Sequence, residues 1–480
     1  ARPEEAVAVL FPTPTFAVLL VGVLAATCAL ASRPRAWRLV VLGASALFYG
    51  YATPRMLLVL AAVVLANWAL AHGVARGGAW GHRVLVLGVL ADLGLLGVFK
   101  YYGFFTSSVT SALRRLGLVV TPPLLEVVLP IGLSFLTFSA IAYLVEVRRG
   151  ISPVAPLLDV AVWLSFFPTV TAGPITRPSE LMHQLPQQGQ VRRIEGGEAT
   201  WLIARGLVKK VVLASWLSST ITESVFTTPA VHSGPELLLG VYAYAAQIYL
   251  DFSGYTDIAR GSALLLGVRL PENFDAPYAA ASIHEFWNRW HMTLSRWLRD
   301  FLFVPLAQRS HAHWWRSFAV PVVVMALAGL WHGAAWTFVA FGLVHGVALA
   351  VERLMTERRR AAHRARSTAL PARVLAHLVA LHVVCLGWVF FASSDLGQAG
   401  VLLRGLAHGW PHVPDVPLLL VVLLLAVLVA QLHPGRLAPA VRSVFTASPA
   451  LVQGALLAAA LLCVDALGPE GVAPFIYYRF

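Results

Sequence analysis

The feature that most constrains this chain is a series of apolar runs, each close to the size that crosses a lipid bilayer. Residues 318–351, for example, contain no Asp, Glu, Lys or Arg. A helix needs roughly 20 apolar residues to span the hydrocarbon core. The chain of 480 residues is 58% hydrophobic and 12% charged, whereas soluble proteins are about 25% charged. So many runs exclude a soluble fold and a single cleaved signal sequence, and they predict a polytopic membrane protein.

The expected fold is all-α. Lipid offers no hydrogen-bond partner to backbone N–H and C=O groups, so each spanning segment must satisfy its own, and the sequence lacks the alternating pattern of a membrane β-barrel. We expect a bundle of about 11–13 membrane helices and re-entrant segments, in a single membrane-embedded domain over residues 1–480. The candidate spans are 14–32, 38–52, 55–74, 84–100, 124–146, 157–172, 200–222, 235–268, 316–332, 334–351, 372–392, 415–432 and 446–467.

The positive charge of the chain lies mainly between the apolar runs. There are 36 Lys and Arg against 23 Asp and Glu, a net charge of +13. Arginines cluster most densely in "ERLMTERRRAAHRARS" (352–367), as the positive-inside bias of membrane proteins produces. We therefore predict that 352–367 is a cytoplasmic loop and that the chain resides in the cytoplasmic membrane. Nucleic acid is not an expected partner.

His332 is a polar residue within the longest uncharged run. It lies in "GLWHGAAW" (329–336), between two tryptophans. An imidazole in an apolar helix is either a core residue satisfied by its neighbours or a functional group in a cavity. Gly329 and Gly333 have the small-xxx-small spacing that lets another helix approach closely, and we predict such packing here. His345, by contrast, is expected near a segment end, where solvent at the membrane interface satisfies it.

A second polar stretch reads "HEFWNRWHMTLSRWLRDF" (284–301). On one continuous helix of 3.6 residues per turn, a single stripe holds His284, Asn288, His291 and Ser295. Two interpretations stay open. The segment is an amphipathic helix at the membrane surface, where Trp and Arg are both favoured, or it packs inside the protein and lines a wet cavity with Asn288 and His291.

Polar residues also interrupt the apolar run "QIYLDFSGYTDIARG" (247–261). Asp251 and Tyr255 share a helix face at spacing i, i+4. Ionisable groups at membrane depth are costly, so they usually pair with an opposite charge or serve function. We expect Asp251 to form an ion pair with an arginine of the 289–299 group, a pairing that also allows it to shape a site.

Established catalytic and metal motifs are absent from the sequence. It has no HExxH, GxSxG, Walker A or dinucleotide-binding pattern. No metal is therefore expected, and the three cysteines (Cys28, Cys385 and Cys463), each within its own apolar run, indicate small core residues. A histidine base without a protein nucleophile remains. That combination suits direct attack by a substrate hydroxyl on an activated acyl group.

Two blocks carry a family resemblance. "FWNRWHMTLSRWLRDFLFVPL" (286–306), followed by "GLWHGAAWTFVAFGLVHG" (329–346), resembles the membrane-bound O-acyltransferase (MBOAT) superfamily, in particular its bacterial alginate O-acetylation-like branch. Supporting blocks in the family's order include "KYYGFF", "FFPTVTAGPITR" and "GLVKKVVLA". The resemblance covers a core of about 90–350. After 304–306 the chain reads "AQRSHAHWW" where the family has a Gly-Gly-Asn-Arg-like loop, a departure that leaves the acceptor open.

The resemblance implies a helix bundle around a central tunnel and two key histidines. His332, in the WHG block, corresponds to the family's candidate base, and His291, in the RWH block, is the second. The residues of the same blocks that are expected to shape the site are Arg289, Trp290, Arg296 and Trp331.

The function that follows is transfer of an acyl group, in the first place acetyl, to a hydroxyl of a cell-envelope glycan or glycolipid. The donor is expected to be cytoplasmic acetyl-CoA or another acyl thioester, with no bound cofactor, and transfer is direct or relayed through an extracytoplasmic acyltransferase partner. His332 would take the hydroxyl proton, while His291 and Asn288 would position the donor or stabilise charge on the carbonyl oxygen. The alternatives are a polytopic transporter or lipid flippase with a polar conduit, which the lack of an obvious internal repeat disfavours, and a non-enzymatic scaffold.

Overall fold

The structure is a computed structural model that describes residues 11, 13–51, 54–121, 130–185, 194–309, 311–363, 369–408, 416–433 and 437–467. Every regular element within these ranges is a helix, which confirms the all-α prediction. The described chain divides into two compact units. Unit 1 holds the residues up to Ile203 together with Thr256–Pro271, and unit 2 holds Ala204–Tyr255 and the residues from Glu272 onward. The prediction of one domain over 1–480 stays a prediction.

Unit 1 contains the first eight helices of the chain. They are α1 (Pro14–Ala29), α2 (Pro34–Gly50), α3 (Met56–Ala75), α4 (Gly78–Leu96), α5 (Tyr102–Arg115), α6 (Leu133–Arg148), α7 (Leu157–Ser165) and α8 (Pro178–Leu181), with a π-helical turn at Gly97–Tyr101 between α4 and α5. Between α7 and α8 the chain runs through turns without a long helix. Prolines deny this stretch regular backbone hydrogen bonds, and buried Glu146 of α6 anchors its end by accepting bonds from the backbone and side chain of Ser179.

The later helices begin with two that continue from one unit into the other, α9 (Gly196–Leu207) and α12 (Gly234–Leu265). The remaining helices are α10 (Ser215–Leu217), α11 (Glu223–Thr227), α13 (Ile283–Arg289), α14 (Met292–Leu298), α15 (Val304–Gln308), α16 (Val320–His332), α17 (Trp336–Ala361), α18 (Leu370–Ala392), α19 (Leu396–His408), α20 (Leu418–Leu432), α21 (Leu437–Ala447) and α22 (Ala450–Leu467). Further π-helical turns lie at Val208–Ala214, Ser218–Thr222, Arg299–Phe303 and Trp315–Ala319.

Several helices are long and apolar enough to cross a membrane. In the described part of the chain they are Met56–Ala75, Gly78–Arg115, Trp315–His332, Trp336–Ala361 and Leu370–Ala392. Pro14–Ala29, Leu418–Leu432 and Ala450–Leu462 are shorter apolar helices. The chain is therefore a multi-pass membrane protein. The count of about 11–13 segments, which includes short and broken ones, stays a prediction, and the start of the candidate span 124–146 lies outside the described residues.

Helices α16 and α17 form a closely packed hairpin in unit 2. A Cβ added to Gly329 would lie 3.0 Å from the backbone nitrogen of Gly342, and one added to Gly346 would lie 2.8 Å from Cα of Val322. The two helices therefore pack backbone against backbone, which confirms the close approach predicted at Gly329. Gly333 has no side chain because the ring of Phe338 occupies that space.

The arginine-rich stretch 352–367 is not a loop throughout. Helix α17 continues to Ala361, and residues 364–367 lie outside the described part of the chain. Alternating acidic and basic residues support this extension, since Arg353 pairs with Glu357 at spacing i, i+4. The three arginines Arg358, Arg359 and Arg360 stand in the last turn of α17, where cations are favoured by the helix dipole.

Candidate active site

His332 is the last residue of α16 and is 5% exposed. Aromatic rings surround its imidazole. The ring centroid of Trp331 lies 4.9 Å away, that of Phe391 5.5 Å and that of Phe341 5.9 Å. The predicted burial of an imidazole in this apolar run is therefore observed. These rings belong to α16, α17 and α18, so the hairpin and α18 together enclose His332 among aromatic side chains.

His291 is fully buried and occupies a break between two helices. Its φ of 41° is left-handed, a conformation that side-chain-bearing residues adopt at a cost when the surroundings fix it. One continuous helix over 284–301 was therefore wrong: α13 ends at Arg289 and α14 begins at Met292. His291 does not share a helical stripe with Asn288.

Asn273 supplies the physical reason for this break. Its side-chain oxygen accepts hydrogen bonds from both the backbone nitrogen and the hydroxyl of Thr293, at 3.2 and 2.7 Å. Its carbonyl oxygen accepts from the nitrogen of Met292 at 3.0 Å. These bonds satisfy the first backbone donors of α14, which would otherwise need an intrahelical partner. The segment before α13 thus caps α14 and turns His291 into the protein.

The two predicted histidines lie against one indole. The ring centroid of Trp331 is 6.3 Å from that of His291 and 4.9 Å from that of His332. Phe252 meets the His291 ring edge to face at 4.7 Å. Burial lowers the pKa of His291, which lies outside the spanning helices, to about 3, so the imidazole is neutral at physiological pH and can accept one hydrogen bond and donate another.

The neighbours of His291 have different roles. Trp290 is 1% exposed and stacks on Phe286 with the planes 15° apart, so it is a packing residue beside the site. Arg289 turns outward, pairs with Glu285 at 2.9 Å and donates to the carbonyl oxygen of Asp275 at 3.3 Å. Arg289 therefore ties down the chain before the break.

Asp251 and Tyr255 are both buried in α12. The structure pairs Asp251 with Lys210, which is 2% exposed in the side chain and lies in the π-helical turn Val208–Ala214. The expectation of an arginine from 289–299 thus missed this partner. Lys210 is followed by an apolar stretch and comes directly after Lys209, and two adjacent lysines within a candidate span were the available signal that an opposite charge was needed.

A cavity of about 780 Å³ opens beside α13, α14 and α17. Of the residues predicted to form the site, Asn288 and Arg296 line it, whereas His291 and His332 are not among its lining residues. Sequence reasoning missed most of the wall. The other polar or aromatic lining residues include His284, Trp287, Arg299, Glu352, Arg353, Glu357 and Arg360. Four arginines against two glutamates favour an anionic ligand.

His345 is not at a solvated segment end, as expected, but fully buried within α17. The indole nitrogen of Trp287 donates to its Nδ1 at 3.3 Å. The position of His345 along α17 does not indicate which other helices cover it. Helices α13 and α18 both pack against His345 and exclude solvent from its imidazole.

Comparison with known proteins identifies acyltransferases among the relatives of this chain. The model of the family described as "MBOAT, membrane-bound O-acyltransferase family" matches residues 82–392. A protein of Azotobacter vinelandii named "Probable alginate O-acetylase AlgI" is 36% identical over 75% of this chain and 70% of its own length. A peptidoglycan O-acetyltransferase of Helicobacter pylori is 33% identical over 83% and 79%. A teichoic acid D-alanyltransferase of Streptococcus thermophilus is 30% identical over 55% and 68%.

The matched region contains the buried histidines, the hairpin and the arginine-lined cavity. The resemblance carried by the RWH and WHG blocks is therefore confirmed over most of the chain. The protein belongs to the membrane-bound O-acyltransferase family and is a multi-pass O-acyltransferase.

Proposed function

We propose that this protein, in the cytoplasmic membrane, transfers an acetyl group from acetyl-CoA or a related acyl thioester to a hydroxyl of a cell-envelope glycan, with His332 as the general base. The observation that carries the proposal is the placement of two buried histidines against Trp331 in the unit that also holds an arginine-lined cavity. The names of the relatives, which act on alginate and peptidoglycan, support a polysaccharide acceptor.

The cavity is suited to the charged part of the donor. Arg296, Arg299 and Arg353 stand in its wall, and guanidinium groups bind phosphate oxygens through paired hydrogen bonds. The nearby arginines at the end of α17 support a cytoplasmic position for this end, as the positive-inside bias predicts. Acetyl-CoA carries its phosphates at one end and its thioester at the other, so the phosphates would stay at the cavity.

The thioester must reach deeper than the cavity. Phe341, whose ring contacts His332, and Arg353 both lie on α17, separated along the helix axis by ~18 Å. A donor with a long, neutral arm between its phosphates and its thioester suits this separation. The arm would run along the apolar interior, and the acyl carbon would meet the acceptor beside His332.

The chemistry needs only groups that the site supplies. The hydroxyl oxygen of the acceptor attacks the thioester carbonyl carbon while His332 removes the hydroxyl proton. Neutral His291, which has one N–H to donate, would stabilise the negative charge on the carbonyl oxygen. The C–S bond then breaks, and the thiolate leaves with the proton that His332 had taken. General-base help of this kind is worth about 10²–10⁴-fold.

The acceptor is either the glycan itself or an extracytoplasmic acyltransferase partner that completes the transfer. His332 stands at the end of the hairpin opposite to the arginine cluster of α17. Approach of the acceptor from the extracytoplasmic side is consistent with that placement.

The test is acetyl transfer by purified protein in liposomes, with radiolabelled acetyl-CoA and cell-envelope glycan. We expect wild-type turnover and a loss of ~10²–10⁴-fold in His332→Ala. His377→Ala, which changes a histidine on α18 whose Nδ1 bonds to the carbonyl oxygen of Arg373 in its own helix, is the matched control and should retain wild-type activity. Full activity in His332→Ala would disprove the base assignment. Absence of acyl turnover in the wild type, together with solute movement into the liposomes, would favour a transporter. Mass spectrometry of envelope glycans from a deletion strain identifies the acceptor.

A further inference from the structure

Trp287 and His345 form a buried hydrogen bond at the edge of the cavity. Trp287 is 7% exposed and its side chain lines the cavity wall. Its indole N–H donates to Nδ1 of His345 at 3.3 Å, with the two ring planes 82° apart. Neither residue belongs to the pair of histidines around Trp331, so this contact has no part in the chemistry proposed above.

The surroundings hold the imidazole of His345 in one orientation. Because Nδ1 accepts the indole hydrogen, the proton of the neutral ring is on Nε2. Nε2 faces α18 at Gly387, where an added Cβ would lie only 2.5 Å from it. The ring also stacks on Phe286, with the planes 13° apart. Nδ1 of His345 is therefore a hydrogen-bond acceptor with a fixed position, and it receives the indole N–H of Trp287.

Packing by itself does not require a histidine at this position. A phenylalanine would fill similar space without the cost of burying polar nitrogens. What the imidazole adds is an acceptor that fixes the rotation of the indole, and Trp287 is one of the residues that line the cavity. An indole at the wall of an arginine-lined cavity suits a ligand with a charged end and a neutral arm.

We propose that His345 is a positioning residue for the acyl donor: it fixes the indole of Trp287 on the cavity wall, where that indole receives the neutral arm of the thioester. This inference rests on the proposed function. It assigns donor binding to Trp287 and His345, and it leaves proton transfer to His332.

The test measures two quantities on the full-length protein in detergent or liposomes. One is the Kd for CoA by calorimetry, and the other is the KM and kcat for acetyl-CoA. His345→Phe should weaken CoA binding and raise the KM by about two- to tenfold, the range that one hydrogen bond contributes, with kcat within twofold of wild type. His345→Asn, whose side-chain oxygen reaches the Nδ1 position, should restore the wild-type values.

Two further variants keep the inference testable if His345→Phe does not fold. Trp287→Phe removes the donor of the same bond, and its effect on Kd should not add to that of His345→Phe. Gly387→Ala pushes on Nε2 and should weaken binding although His345 is intact. His377→Phe makes the same substitution elsewhere on α18, at a histidine that bonds to the carbonyl oxygen of Arg373 in its own helix, and should leave Kd unchanged.

The outcomes separate this inference from the function on which it rests. Unchanged Kd and KM in His345→Phe, equal defects in His345→Asn and His345→Phe, or a loss of kcat with unchanged KM would each overturn the positioning role. Wild-type protein that neither binds CoA nor turns over acetyl-CoA would instead overturn the proposed donor.

Discussion

Lys210 and Asp251 form an ion pair in the interior of unit 2, with side-chain exposures of 2% and 10%. The pair joins a π-helical turn to α12, next to Phe252, whose ring holds His291. Removing one partner of a buried pair leaves an uncompensated charge, which costs about 3–5 kcal/mol, whereas an apolar pair of similar volume is often tolerated. The pair therefore stabilises the wall behind His291 only while both charges are present.

The first prediction concerns this pair. Asp251→Leu should destabilise the protein by about 3–5 kcal/mol, and the double variant Lys210→Met with Asp251→Leu should recover most of that loss. Thermal unfolding in detergent, followed by tryptophan fluorescence, measures both. If the double variant were less stable than Asp251→Leu, Lys210 and Asp251 would not be each other's main electrostatic partner.

The second prediction concerns the cap that turns His291 inward. Asn273→Ala removes the acceptor for both donors of Thr293 and should cost about 1–2 kcal/mol. Because the His291 backbone is held in its left-handed conformation by this cap, turnover should also fall. Thr293→Val removes only the hydroxyl donor, so its stability and turnover should lie between those of Asn273→Ala and wild type. Equal turnover in Asn273→Ala and wild type would show that the break forms without the cap.

Sequence patterns predicted the parts of the site that depend on local composition. The uncharged run around His332 predicted its burial, and the spacing of Gly329 and Gly333 indicated a close helix neighbour. The break at His291 could not be predicted in this way, because its cap comes from Asn273, which is distant along the chain. A helical period applied to 284–301 assumes intrahelical partners, and here a tertiary contact replaced them.

The partner of Asp251 and the burial of His345 also depend on tertiary contacts that the sequence patterns do not contain. Asp251 was recognised as a charge that needs a partner, but the choice of Lys210 depends on which helices meet. His345 was expected to be solvated, because the sequence does not show that α13 and α18 pack against it. The sequence patterns therefore indicated which polar residues lie in apolar surroundings, whereas their partners depend on how the helices pack.

The third prediction concerns the α16–α17 hairpin. Gly329→Ala places a methyl group against the backbone of α17, and backbone cannot move aside as a flexible side chain can. We expect loss of monodisperse protein in size-exclusion chromatography and loss of acyl transfer. Gly43→Ala is the control: it lies in α2 with nothing within 4 Å of the added Cβ, and it should be neutral or stabilising by about 0.5–1 kcal/mol. Normal folding of Gly329→Ala would contradict the close backbone contact between α16 and α17.

The last prediction follows from the burial of His291. Burial lowers the pKa of His291 from its ordinary value of 6.5 to about 3 in the folded protein, so between these two pH values the unfolded chain binds more protons than the folded one. Stability should therefore rise with pH through this range and level off above pH 6.5. His291→Gln removes the titrating group, so its Tm should fall less than that of wild type when the pH is lowered from 7 to 5. Because His291 stays neutral from pH 5 to 8, the pH dependence of turnover in this range should belong to other groups. Equal losses of Tm in wild type and His291→Gln would show that the buried imidazole does not set this acid sensitivity.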